Sequence, residues 1–75
     1  MLDPKHLKAI KKSAQREQWS AVGDAVVSLS AQAVGNPIDI VRIKSLMPVI
    51  QERNREDLCW AVDELLRIQN KSDSN

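Results

Sequence analysis

Apolar positions recur at helical spacing along most of the chain. The clearest run is Trp19, Val22, Val26, Leu29 and Ala33, separated alternately by three and four residues. It predicts a helix beginning near Gln18. Gly35 stands where a left-handed C-terminal cap belongs, and Asn36-Pro37 follows it. Upstream, Leu7, Ile10 and Ala14 form a thinner stripe, which predicts a first helix running to about Arg16 or Glu17. Asp3 is placed to cap it, Pro4 to occupy its first position, and Leu2 and Leu7 to form a hydrophobic staple across the cap.

Downstream, Ile40, Ile43, Leu46, Met47 and Ile50 mark a third helical face, and Pro48 interrupts it. Two arrangements satisfy that proline. One is a kinked helix with Pro48 turned outward. The other is a helix capped at Ser45, with 38–43 as a short strand. The helix is favoured, because a lone strand would have no strand to pair with. A fourth helix is predicted from Asn54, with Asp57 three residues on as a near capping box, to about Gln69. The expected architecture is all-α: a compact bundle of three to four short helices, able to form a homodimer. A single domain is expected over residues 1–70, with a frayed polar tail over 71–75.

Charge changes the picture for the second helix. From Gln18 through Ile38 the only charged residue is Asp24. A helix with so little polarity is usually enclosed on most sides. The second helix is therefore expected to be the central one, or half of a dimer interface.

Length changes it for the whole. A chain of 75 residues is one domain of marginal independent stability. Small scaffolds lean on disulfides, metals or partners. Cys59 is the only cysteine and His6 the only histidine, too few for a disulfide within the chain or a four-ligand zinc site. Association is the supplement that remains. No apolar run suits a membrane span or a secretory signal, so the expected location is cytoplasmic. The net charge of +1 selects no partner by sign. Two tryptophans without phenylalanine or tyrosine imply an aliphatic core.

Against that background Trp60 is conspicuous. On the fourth helix Leu58, Val62, Leu65 and Gln69 share one face, while Trp60 falls nearly opposite, between Arg67 and Glu64. Tryptophan is enriched at binding hot spots. Trp60 is read as a contact residue for a partner, with Asp63, Glu64 and Arg67 as its polar rim. Two alternatives stand beside this: the first helix or the Met47–Ile50 segment covers the ring, or the ring lies on its own helix. Trp19, on the seam of the second helix, is read as core. Cys59 is expected at the edge of the core face, and His6 facing solvent.

The first helix carries a second signal. Lys5, Lys8, Lys12 and Arg16 line the side opposite its apolar stripe. Such a stripe can neutralise phosphates or dock on an acidic protein, although a solvated helix face is the common case. No aromatic residues interleave with it for base stacking. A helix-turn-helix through the fourth helix is disfavoured by Glu56, Asp57, Asp63 and Glu64, which would repel phosphates. With two glycines in the chain there is no glycine-rich phosphate loop, and no nucleophile–base constellation has convincing spacing.

The stretch MPVIQERNREDLCWAVDELL, about a quarter of the chain, resembles the middle of the theta subunit of bacterial DNA polymerase III. The resemblance rests on MPVI and a Trp-bearing helix of mixed charge. The intervening linker is shorter here and the first helix does not match, so no family assignment follows. It illustrates how a helical protein of this size can act by docking on a larger one.

The expected function is a non-enzymatic interaction module that docks on a larger protein and regulates, inhibits or supports it. No cofactor and no catalytic residue is expected. The alternative is a small dimeric nucleic-acid-binding regulator using the basic stripe.

Overall fold

The computed structural model describes residues 1–73 and consists of four helices: α1 (Pro4–Gln15), α2 (Trp19–Gln32), α3 (Pro37–Glu52) and α4 (Arg55–Asp73). The local signals placed the starts well. The Asp3 side chain accepts from the Lys5 N–H at 2.9 Å, with Pro4 in the first turn. Leu2 and Leu7, the two ends of the staple, are both buried. Asn36, expected only to follow the end of α2, accepts from the Asp39 N–H at 3.2 Å and opens α3. Asn54 accepts from the N–H groups of Glu56 and Asp57 and opens α4.

The ends differ more from expectation. α1 stops at Gln15 in a Schellman turn: Gln18 N–H donates to Ser13 C=O at 2.9 Å and Glu17 N–H to Ala14 C=O at 3.0 Å. That turn puts Glu17 at φ 55°, a left-handed position held without glycine. Gly35 takes the same region, φ 82°, in the turn after α2. Arg53 does so at φ 53° as the C-cap of α3. α4 continues through Asp73 rather than ending near Gln69, so the first part of the expected tail is helical. Residues 74 and 75 lie outside the described residues.

α3 is one uninterrupted helix with Pro48 inside it, exposed, so the strand over 38–43 does not form. Its face is rotated from the predicted one. Asp39, Ile43 and Leu46 are buried, with Val49 and Ile50 packed beside them, while Ile40 and Met47 lie on the rim.

The helices form a ring in which α1 packs on α2 and α4, and α3 closes the circuit more loosely between α4 and α2. α1, not α2, is therefore the hub. Its three stripe residues are fully buried, whereas α2 and the turn after it leave Val27 69% and Val34 82% exposed. The expectation of an enclosed α2 fails in the single chain, since a ring buries only one arc of each helix.

The core is aliphatic: Leu2, Leu7, Ile10, Val22, Leu29, Leu46, Leu58 and Val62 are its largest enclosed side chains, and Trp19 packs half-buried against it. Two polar residues are buried with it. Gln69 Oε1 accepts from Leu2 N–H at 2.8 Å and from Arg42 Nη1 at 3.3 Å, and its Nε2 donates to Leu2 C=O at 3.0 Å. Asp39, 4% exposed, pairs with the Met1 amino nitrogen at 2.8 Å. These contacts tie the segment before α1 to α3 and α4.

Candidate functional site

α4 presents two opposed faces because Leu58, Val62, Leu65 and Gln69 return every three to four residues and point at the core. Everything half a turn away must face outward. Trp60 does: it is 68% exposed, and its indole N–H has no acceptor among the described residues. Neither α1 nor the Met47–Ile50 segment covers it. Of the arrangements open from the sequence, intramolecular cover is removed.

The rim expected around Trp60 is brought together only in part. Glu64 and Arg67, at i+4 and i+7 from Trp60, form an ion pair with Oε2 and Nη2 2.7 Å apart. Arg67 stays largely in solvent while Glu64 is partly covered. This pair lies on the same side of α4 as Trp60, one to two turns toward the C-terminus. Asp63 is turned toward α1, where both carboxylate oxygens accept from Lys11 Nζ, at 2.9 and 3.1 Å. The hydrogen bond to Asp63, with its charge, raises the Lys11 pKa above the ordinary 10.5, against a smaller opposing effect of desolvation. Asp63 is thus first a clasp between α1 and α4, although it remains half exposed.

Lys5, Lys8 and Lys12 on α1 and Arg16 at its C-cap are all exposed, and no acidic side chain among the described residues pairs with them. Lys8 lines a groove between α1 and α4 whose other side is formed by Leu66, Arg67 and Asn70. The basic stripe and the Trp60 face therefore approach each other at Arg67.

The remaining chemistry-bearing residues are engaged locally. Cys59 is half-buried, and its Sγ lies 3.8 Å from the Lys11 carbonyl oxygen. His6, expected in solvent, is half-buried, with Nε2 3.3 Å from Gln32 Nε2, on the α2 side of α1. The thiol and the imidazole thus meet different partners on different sides of α1. No cluster of three His, Cys, Asp or Glu side chains able to hold a metal occurs among the described residues, and no helix among them is long and apolar enough to cross a membrane.

Some exposed apolar surface was missed. Val27 and Val34 are exposed on α2 and the turn after it, Ile40 and Met47 line a groove at the α2–α3 seam, and Ile38 and Val41 lie with Arg42 along a separate one. The signal was present as apolar residues on nearly every side of α3, more than one buried arc can absorb.

Comparisons of the chain with known protein families, with curated proteins and with solved structures give no match. The functional reading rests on the arrangement of these side chains.

Proposed function

We propose that this protein is a non-enzymatic binding module that docks on a larger protein through the outer face of α4. It would regulate, inhibit or support that protein. Trp60 is the anchor, Glu64 and Arg67 are its rim, and Asp63 borders the contact while holding Lys11. The observation that carries this reading is the 68% exposure of an indole on the charged side of α4. A large rigid ring gains most by entering an apolar pocket on a partner, with the charged rim excluding water around it.

The test compares proteins captured by tagged wild type and by Trp60→Ala. One partner retained by the wild type and lost by the variant, with unchanged helix content, supports the reading. For such an anchor the loss of affinity should be about 30-fold or more. A partner bound equally by both proteins refutes the assignment of Trp60.

A second reading is favoured by four basic side chains along α1 and its C-cap that have no acidic partner among the described residues. In this reading a dimer grips nucleic acid through Lys5, Lys8, Lys12 and Arg16. Binding would then weaken steeply with salt and disappear in a Lys8→Glu, Lys12→Glu, Arg16→Glu variant. Absence of binding at low salt disposes of it.

A further inference from the structure

The groove between α1 and α4 has a volume of about 410 Å³, within the range of ligand-sized clefts. Met1, Pro4 and Leu66 give it apolar walls, and Lys8 and Arg67 line it as cations. No acidic residue among the described ones lines it. Two acids do reach lining residues, and both are paired. Glu64 holds Arg67 through Nη2 alone, and buried Asp39 holds the Met1 amino nitrogen. Lys8 has no acidic partner among the described residues. Lys5 and Lys12, three residues before it and four after, add positive charge along the same edge of α1.

The walls are fixed in advance. Buried Gln69, which also lines the groove, is held by Leu2 and Arg42. Met1 is held by Asp39. A contact made on walls already in place loses less to ordering. Arg67 links the groove to the outer face of α4, standing seven residues from Trp60, about 10 Å along the helix.

We propose that this groove receives an acidic segment of the docked protein, in which carboxylates flank an apolar side chain. The apolar side chain packs on Met1, Pro4 and Leu66. The carboxylates pair with Lys8 and with the Arg67 nitrogens that Glu64 leaves free. Placing that segment on the docked protein rests on the docking role given above to α4. A phosphate backbone would use the two cations but gain nothing from the apolar walls. No aromatic ring lines the groove for a base to stack on.

The experiment follows the fluorescence anisotropy of labelled probes titrated with the full chain. The probes are a synthetic peptide with leucines flanked by glutamates, the same peptide with lysine for glutamate, the same with alanine for leucine, and a single-stranded oligonucleotide. The first should bind and the lysine peptide should not. Losing the leucines should weaken binding several-fold, because exposed ion pairs alone contribute little. Lys8→Glu and Arg67→Glu should each weaken it several-fold. Lys44→Glu makes the same change of net charge on α3, where Lys44 lines a different groove, and should leave binding unchanged. All three positions are exposed, and circular dichroism verifies that the fold is retained.

No binding of the acidic peptide at millimolar protein overturns the proposal. So does a loss from Lys44→Glu as large as that from Lys8→Glu, or binding indifferent to the leucines. An oligonucleotide bound more tightly than the peptide also overturns it and assigns the cations to phosphate. Trp60→Ala separates this proposal from the docking reading. Trp60 does not line the groove, so the variant should bind the peptide as the wild type does. A partner protein lost with Trp60→Ala, while the peptide binds neither protein, removes the groove and leaves the docking face standing. Peptide binding that depends on Lys8, beside a partner indifferent to Trp60→Ala, removes the Trp60 anchor and leaves the groove.

Discussion

Leu58 and Trp60 stand two positions apart on α4 and face opposite media, so the larger side chain is the less important to folding. Leu58 is fully enclosed and Trp60 is mostly in water. Truncating Leu58 removes buried methyl groups and leaves a cavity, for a loss of about 2–5 kcal/mol. Truncating Trp60 should change stability by no more than about 0.5 kcal/mol. Urea denaturation of Leu58→Ala and Trp60→Ala should show that order, and the reverse order would mean Trp60 belongs to the core. Gln69 contributes differently. Its amide satisfies both backbone groups of buried Leu2 while accepting from Arg42. Gln69→Leu keeps the volume but strands the Leu2 N–H and C=O, at a cost of about 1–3 kcal/mol, measurable as a lower urea midpoint.

At the scale of the element, the starts of α1 and α4 were legible because capping chemistry is local: Asp3 and Asn54 each act within three residues of themselves, whereas Asn36, which caps α3 in the same way, was read only as part of the stop after α2. The stops were less so. Glu17 and Arg53 occupy left-handed backbone positions that the sequence does not mark with glycine. Each carries a steric cost of about 1–2 kcal/mol that glycine would avoid. Glu17→Gly and Arg53→Gly should each raise the thermal midpoint, the gain being reduced by the greater freedom of glycine in the unfolded chain. The Lys11–Asp63 clasp between α1 and α4 is an element-scale contact with a defined pH range. The folded-state pKa of Lys11 lies above 10.5, so its contribution is complete below that value. It disappears as the pH rises through the folded pKa. The difference in thermal midpoint between wild type and Lys11→Met should therefore be constant near neutrality and close in strongly alkaline solution.

For the whole molecule, the all-helical class and most of the core followed from periodicity, since α1, α2 and α4 each repeat their apolar residues on one arc. Periodicity failed where a helix is apolar on several sides. α3 offers Ile38, Ile40, Val41, Ile43, Leu46, Met47 and Ile50 to any packing direction, and only its neighbours decide which are enclosed. The near absence of charge made α2 look central. Buried Asp39 and Gln69 were not recognisable as a polar bracket for the N-terminal segment, because their partners lie far along the chain. The Trp60 face was legible from its angular separation from Leu58, whereas Asp63's engagement with Lys11 required the relative placement of α1 and α4. The placement of the tryptophans has an optical consequence. With no tyrosine and no phenylalanine, near-ultraviolet fluorescence arises from two indoles, Trp19 against the core and Trp60 in solvent. Loss of the core would shift the emission of Trp19 to longer wavelength, and desolvation at α4 would shift that of Trp60 to shorter wavelength. The unlabelled protein thus carries separate colour signals for unfolding and for contact.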